Sequence, residues 1–165
     1  MKKFTVAAFL SLMVLIFSTG IKTNNTLTMN QHEGKNMDDT TPKVTGIGGI
    51  FFYSETPKET KEWYTQNLGI EINDWGSASF EARNINNPEE VTSLQWKPFK
   101  KGDEYFSPSK KDFMINYTVQ NIEGLVDKLR ANGVTILDSI ATYDYGKFVH
   151  IMDSDGNKIE LWEPK

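Results

Sequence analysis

Apolar residues recur at helical spacing in one segment of the second half of the chain. They lie at i, i+3, i+4 and i+7, which is the stripe of a helix with one buried face. The stripe consists of Ile122, Leu125, Val126 and Leu129. Asn121 precedes it as a capping residue, and Gly133 follows it as a residue suited to ending a helix. The pattern predicts a helix over 122–132.

A second helix is predicted from the residues at its two ends. In TPKETKEWYTQNLG, residues 56–69, Thr56 suits the N-cap and Pro57 suits the first helical position. Glu59 completes a Thr-x-x-Glu capping box with Thr56. Gly69 can adopt the left-handed conformation that ends a helix.

Alternating and short apolar runs predict strands on either side of these helices. The predicted strands are VTGIGGIFFYS (44–54), IEIND (70–74), SASFEAR (77–83), VTSLQWKPF (91–99), FMINYTV (113–119), VTIL (134–137), KFVHIMD (147–153) and KIELWE (158–163). Each half of the folded part then reads strand, helix, three strands. This repeat predicts an α+β domain of two tandem βαβββ modules, about 44–100 and 111–165. We expect their strands to form one half-open, barrel-like sheet around a shared cleft.

The two halves can also be aligned residue by residue. SLQWKP at 93–98 aligns with KIELWEP at 158–164, which pairs Gln95 with Glu160. GIFFYS at 49–54 aligns with MINYTV at 114–119, which pairs Gly49 with Met114. Since strand residues alternate between faces, Glu160 points away from its two apolar neighbours. We expect Glu160 and Gln95 to face the shared cleft, where a carboxylate can act as a general base or accept a ligand N–H.

Composition narrows the classes of function. The 165 residues carry a net charge of −4 and a pI near 5.2, which argues against a nucleic-acid partner because a phosphate backbone attracts basic surfaces. There is no cysteine, so disulfides, thiolate metal ligands and thiol nucleophiles are excluded.

The first 43 residues have a different character from the rest. Two lysines precede FTVAAFLSLMVLIF and the small residues STG, which is the pattern of a signal peptide over 1–20. The pattern predicts an exported protein, periplasmic or secreted. The alternative is an uncleaved segment that anchors the protein in the membrane. Residues 21–43 are rich in Asn, Thr and charge, which predicts a flexible polar linker before a domain at 44–165.

Two stretches resemble the vicinal oxygen chelate superfamily, which includes glyoxalase I, bleomycin-resistance proteins and extradiol dioxygenases. One is GIGGIFFYSETPKETKEWYTQNLGI at 46–70, and the other is DSDGNKIELWEP at 153–164. The resemblance implies that four positions converge on the cleft, where metal-using members place their ligands. In this sequence those positions are Gly49, Gln95, Met114 and Glu160.

Those four residues bear on the expected cofactor. Glu160 is a good metal ligand and Gln95 a poor one, while Gly49 and Met114 replace the usual ligands. We therefore expect no cofactor. The alternative is a divalent Zn, Ni, Mn or Fe ion held by Glu160, with His150 on the neighbouring strand as a further ligand. His150 can equally be a hydrogen-bonded wall residue or a catalytic base beside Glu160.

Aromatic residues on the strands suggest the wall of a binding cleft. With Gln95, the candidate ligand-binding residues are Phe51, Trp96, Tyr117, Tyr143 and Phe148. Trp75 and the segment YDYG at 143–146 are candidates for the mouth of the cleft. Such a wall favours a flat or apolar small molecule.

Two functions remain open, besides a third option of a structural or interaction domain whose cleft is vestigial. One is a metal-free binding module similar to bleomycin-resistance proteins. The other is a glyoxalase-like lyase or isomerase, or a dioxygenase, that uses Glu160 as ligand or base. The resemblance also implies a homodimer as a possible assembly.

Overall fold

The computed structural model describes residues 39–85 and 87–165. The elements in chain order are β1 (Lys43–Ser54), α1 (Pro57–Leu68), β2 (Ala78–Asn84), β3 (Asn87–Lys100), a short 3-10 helix (Glu104–Phe106), β4 (Phe113–Gln120), α2 (Ile122–Ala131), β5 (Thr135–Ile136), β6 (Ala141–Tyr143), β7 (Gly146–Met152) and β8 (Lys158–Pro164). The predicted signal peptide at 1–20 and residues 21–38 of the predicted linker lie outside the described residues.

All eight strands belong to one curved, open sheet. Its order is β2-β3-β1-β4-β8-β7-β5, with β6 paired to β7. The two modules meet where β1 runs antiparallel to β4. Within the modules, β1 is parallel to β3 and β4 is parallel to β8. The predicted α+β architecture of two repeated modules around one half-open sheet is confirmed.

The first module has one strand fewer than predicted. Residues 70–74 form no strand, because the Asn73 side chain draws the backbone into a turn. Its Oδ1 accepts hydrogen bonds from the backbone N–H groups of Trp75 and Ser77, both at 3.1 Å. Local side-chain bonding of this kind competes with strand pairing.

The main hydrophobic core lies between α2 and the second module's part of the sheet. It contains Val119, Ile122, Leu125, Val126, Val149, Ile151 and Leu161. Ile122 and Val126 are 0% and 1% exposed, and burial of each such side chain contributes about 1.5–3 kcal/mol. Asn121 caps α2 as predicted, since its side chain accepts from Gly124 N at 3.0 Å.

Helix α1 packs more loosely on the same face of the sheet. No residue of α1 is buried, and its Tyr64 ring lies 4.7 Å from the Trp96 ring of β3. The predicted capping box does not form: Thr56 makes no side-chain cap, and Thr56 N donates instead to Ser54 Oγ at 3.1 Å. Gly69 ends the helix in the left-handed conformation, with φ 68°.

A second, smaller core lies on the opposite face of the sheet. Phe51, Phe106 and Met114 form it, and Tyr53 and Phe99 pack against it. Phe106 comes from the segment between β3 and β4, so this segment packs on the same face of the sheet as Phe51 and Met114. Neither helix in the described part of the chain has the length and apolar character needed to cross a bilayer.

The ordered contacts begin before the predicted start of the domain. Gln120 Nε2 donates to the carbonyls of Asp39 and Thr41, and Asn121 Nδ2 donates to the carbonyl of Thr40. Residues 39–41 are thus hydrogen-bonded to the end of β4 and the start of α2.

Candidate functional site

Four residues form a row across the middle of the concave face. Gly49 on β1 is paired with Gln95 on β3, and Asn116 on β4 is paired with Glu160 on β8. Gly49 and Asn116 are also paired with each other where the modules meet. The predicted convergence of residues 95 and 160 on one hollow is therefore present, and both line the same cavity.

The register corrects one member of the predicted set. The counterpart of Gly49 in the second module is Asn116 and not Met114, because Met114 is paired with Phe51, two residues further along β1. Met114 is 0% exposed, in the small core beside Phe106. Its thioether therefore packs as an apolar side chain.

Glu160 is buried, with 4% of its surface exposed, and its carboxylate accepts three hydrogen bonds. Asn116 Nδ2 donates to Oε1 at 2.7 Å. Oε2 accepts from the Tyr105 hydroxyl and from His150 Nε2, the latter at 3.0 Å. The charge is thus taken out of water but is surrounded by donors.

The donors decide the ionisation of Glu160. Burial acts to raise its pKa, but the hydrogen bonds from His150, Tyr105 and Asn116 outweigh burial, and the pKa lies below its ordinary value of 4.5. Burial and the neighbouring Glu160 charge raise the pKa of Tyr105 above its ordinary 10.0, so this hydroxyl stays a donor. Glu160 is therefore an ionised hydrogen-bond acceptor at neutral pH.

His150 lies between two carboxylates. Its Nε2 faces Glu160, and its Nδ1 lies 2.6 Å from Asp138 Oδ2. Asp138 follows β5, and its Oδ1 also accepts from the backbone N–H of His150 at 2.8 Å. Burial acts to lower the pKa of His150, but the bonds to Glu160 and Asp138 raise it above its ordinary 6.5. A protonated imidazole donates to both carboxylates at once.

A cavity of about 490 Å³ opens above Glu160. Its lining residues are Gly48, Phe51, Trp75, Ser77, Gln95, Asn116, Tyr145, Phe148, Glu160 and Trp162. A second cavity of about 360 Å³ shares Tyr145, Phe148 and Glu160 with the first. Glu160 therefore faces an aromatic cavity and a more polar one.

Residues 46–161 match the Glyoxalase/Bleomycin resistance protein/Dioxygenase superfamily. The chain belongs to this superfamily. The match confirms the resemblance seen in the sequence.

Individual relatives within the superfamily are distant. Uncharacterized protein YetH of Bacillus subtilis (strain 168) is 28% identical over 121 residues, which cover 71% of this chain and 97% of that protein. A methylmalonyl-CoA epimerase of Streptomyces coelicolor, solved in complex with 2-nitronate-propionyl-CoA, superposes with a TM-score of 0.53 at 16% identity. The superposition covers 74% of this chain and 99% of that chain. The methylmalonyl-CoA epimerase from Mycobacterium tuberculosis superposes with a TM-score of 0.49 at 21% identity, covering 76% of this chain and 91% of that chain. At 16% identity, the superposition on the Streptomyces coelicolor enzyme shows a shared fold.

The predicted ligand-binding residues of this superfamily domain divide between the two faces of the sheet. Phe51, Gln95 and Phe148 line the larger cavity, and Tyr143 lines the smaller one. Trp96 and Tyr117 do not line either cavity, which corrects the prediction for both. Trp96 packs against α1, and Tyr117 packs against the main core. Each follows or precedes a cleft-facing residue, so alternation places it on the helix side.

Three contributors to the site were not predicted. Asn116 lies on the same face of β4 as Met114, but the sequence alignment of the two halves selected Met114, two residues earlier. Asp138 follows a short predicted strand, but nothing in its spacing points to His150. Tyr105 reaches Glu160 from 55 positions away, within a segment that has no apolar period. Trp162, two positions from Glu160 on β8, lines the larger cavity, as alternation along the strand predicts.

The side chains present do not fit a conventional transition-metal centre. The row contains one carboxylate, two amides and a glycine, whereas Zn, Ni, Mn or Fe(II) favour three or four imidazole or carboxylate ligands. Both nitrogens of His150 are already directed at carboxylates. Among the described residues, no three His, Cys, Asp or Glu side chains converge as a metal-binding group.

Proposed function

We propose that this superfamily domain binds a small, flat and largely apolar molecule in the larger cavity, without a conventional metal centre. The observation that carries the proposal is the combination of aromatic walls with a buried, ionised carboxylate at the floor. Ligand cavities are commonly apolar surfaces with a few placed polar groups that fix orientation.

The aromatic walls are ordered by contacts with one another. Phe148 and Trp162 stack with ring centres 5.8 Å apart and planes within 7°. Tyr145, which lines both cavities, stacks on Tyr143 of the smaller cavity with ring centres 5.4 Å apart and planes within 5°. Parallel rings held in this way present flat faces, which favour a planar guest.

Glu160 serves this proposal as an anchor. Its carboxylate already accepts from Asn116, Tyr105 and His150, and these bonds hold its pKa below the ordinary value. A carboxylate stabilised in its charged form is a weak proton acceptor. The same group is well suited to receive a hydrogen bond from a ligand.

A second candidate function is a lyase or isomerase in which Glu160 moves a proton. The chain of contacts from Glu160 through His150 to Asp138 favours it, because Asp138 is 46% exposed and connects the floor to solvent. In this second function Glu160 takes a proton from the substrate. His150 then relays a proton from Glu160 to Asp138, from which it passes to solvent.

Binding and metal content test the proposal directly. We expect a thermal-shift screen of flat aromatic compounds against the purified protein to find ligands that raise its melting temperature. The stabilisation should weaken in Phe148→Leu and persist in Trp96→Phe. Elemental analysis should find no stoichiometric divalent metal. One equivalent of Zn, Ni, Mn or Fe that is lost in Glu160→Ala would contradict the proposal. Turnover of a hemithioacetal or a catechol, lost in the same variant, would favour the second candidate.

We also propose that the protein is exported by way of residues 1–20. The apolar run after two lysines supports this. N-terminal sequencing of the protein isolated from its native cell should give a start near residue 21. A start at residue 1 in a membrane fraction would support the uncleaved anchor instead.

A further inference from the structure

Strand β2 forms one edge of the sheet, and no strand in the described part of the chain pairs with its outer side. The sheet order ends at β2, which is paired with β3. Residues 79–83 are all exposed. An edge strand carries a row of backbone N–H and C=O groups that can pair with another chain. The β2 edge is therefore a surface whose partner has to be identified.

One contact on β2 shows which of its backbone groups are directed outward. Thr92 Oγ1 on β3 donates to the carbonyl of Ala82 at 3.2 Å, and Ala82 and Thr92 are opposite each other in the ladder. The carbonyl of Ala82 is therefore directed at β3. In an antiparallel ladder successive residues direct their backbone groups to alternate sides of the strand. The N–H and C=O groups of Glu81 and Arg83 are thus directed at the unpaired edge.

These same two residues carry opposite charges on one face of the strand. Glu81 and Arg83 are two positions apart, and strand residues at that spacing share a face. Arg83 Nη1 donates to the carbonyl of Pro88 at 2.9 Å. Within the described residues, neither Glu81 nor Arg83 has an ion-pair partner. Both charges are therefore available to a second chain at this edge.

The charges select one symmetric pairing of β2 with a second copy of itself. In a two-fold dimer each residue contacts its counterpart's partner reciprocally. An antiparallel pair with its axis at Ala82 places Glu81 of each chain opposite the partner's Arg83, so the favourable pair forms twice. An axis at Glu81 or at Arg83 would place a charge opposite its own copy, which is unfavourable. Ala82 faces its own copy at the axis, where a small side chain permits close approach.

Exposed apolar side chains lie on and beside the same strand. Phe80 on β2 and Val91 on β3 are each 47% exposed, and Ile85, directly after β2, is 92% exposed. A second β2 at this edge would cover part of that surface, which adds a hydrophobic contribution to the pairing of backbone and charge.

We propose that β2 is the contact between two copies of this chain, which pair antiparallel about Ala82 with Glu81 of each opposite the partner's Arg83. The pairing joins the two sheets into one continuous sheet. The contact is short, so the dimer is reversible and not obligate. The proposal is independent of the proposed function, because neither Glu81 nor Arg83 lines the two cavities beside Glu160.

Sedimentation velocity over a range of concentrations tests the contact on the purified full-length protein. We expect the native protein to dimerise with a Kd in roughly the micromolar range. Glu81→Arg and Arg83→Glu each replace two attractive cross-strand pairs by two repulsive ones. Each variant should therefore dimerise at least about tenfold more weakly than the native protein.

Complementation between the two variants identifies the register. Glu81→Arg presents two arginines at the edge and Arg83→Glu presents two glutamates, so an equimolar mixture should form mixed dimers about as tight as the native one. The double variant Glu81→Arg/Arg83→Glu restores both pairs and should also dimerise like the native protein. Glu62→Lys and Lys58→Glu, an exposed ion pair on α1, make matched changes of charge and should leave dimerisation unchanged. Circular dichroism checks that each variant is folded.

Three results would overturn the inference. A native protein that stays monomeric up to about 1 mM would leave the edge to a different partner. A dimer that both single variants retain would place the contact elsewhere on the chain. Folded single variants that do not combine with each other would exclude the register about Ala82. If a charge reversal does not fold, Glu81→Gln and Arg83→Gln take its place, and each should weaken dimerisation several-fold.

Discussion

His150 and Glu160 are directly opposite each other on β7 and β8, with Nε2 3.0 Å from Oε2. Their side chains are only 13% and 5% exposed. Each residue stabilises the charged form of the other, and Asp138 extends the contact to the surface. Removing one partner leaves a buried charge uncompensated, which is more costly than the net value of the intact pair.

The stability of the protein should depend on pH through this pair. The folded pKa of Glu160 lies below 4.5, so its contribution is present above that pH and is lost as pH falls through the lowered value. The folded pKa of His150 lies above 6.5, so its contribution is present below that pH and is lost as pH rises through the raised value. The pair stabilises the fold most between about pH 4.5 and 6.5.

Urea unfolding of the native protein and His150→Gln measures this contribution. We expect the variant to be less stable by about 1.5–3 kcal/mol at pH 5.5, with a smaller difference at pH 9. Lys147→Gln, which removes exposed ion pairs on the same strand, is the matched control. A His150→Gln deficit that is identical at both pH values would contradict the raised pKa.

Tyr105→Phe should remove the contribution of the Tyr105 hydroxyl and keep that of its ring. The ring stacks on Phe99 at 5.1 Å, and Phe can keep that contact. Loss of the donor to Glu160 should reduce the free energy of unfolding by about 1–3 kcal/mol and raise the pKa of Glu160. Carboxyl carbon NMR titration reads that pKa. An unchanged Glu160 pKa would show that the hydroxyl does not stabilise the charge.

Gly48→Ala should disturb the floor of the cavity. The new Cβ would meet Asn116 Oδ1 at 2.2 Å, and we expect a loss of about 1–3 kcal/mol from overpacking. Gly46→Ala on the same strand is the control, since its Cβ approaches only Thr118 Oγ1, at 3.0 Å. Chemical denaturation compares the two. Equal stabilities would mean that Asn116 and Trp162 can move aside without cost.

Phe148→Leu and Trp96→Phe should affect different properties. Phe148 lines the cavity and stacks on Trp162, so its replacement should weaken aromatic ligands by about 0.5–1.5 kcal/mol, or several-fold in Kd. Trp96 is 9% exposed beneath α1, so Trp96→Phe should lower stability and leave Kd unchanged. Calorimetry with a flat aromatic ligand from the thermal-shift screen, paired with thermal unfolding, checks both. A Kd that changes only in Trp96→Phe would reverse the assignment of the faces.

Local chemistry was sufficient for much of the fold. The apolar stripe and Asn121 placed α2, and Gly69 placed the end of α1. The alternation along β8 correctly separated Glu160 from Ile159 and Leu161. The local predictions failed at two places where a polar side chain accepts a hydrogen bond from a nearby backbone N–H. Asn73 forms a turn where a strand was predicted. Ser54 Oγ accepts from the backbone N–H of Thr56, which Glu59 would accept from in the predicted capping box.

The sequence by itself determined the two modules, and it placed Glu160 and Gln95 on the cleft face of their strands. These results follow from periods of two or 3.6 residues within continuous segments. Only the tertiary structure decided that Asn116 and not Met114 meets Glu160, because irregularities in the pairing of β1 with β4 set that register. It also decided the other partners of the carboxylate. Tyr105 lies 55 positions from Glu160, and Asp138 lies 12 positions from His150. Both come from segments outside the strands that hold Glu160 and His150, and no local pattern predicts such contacts.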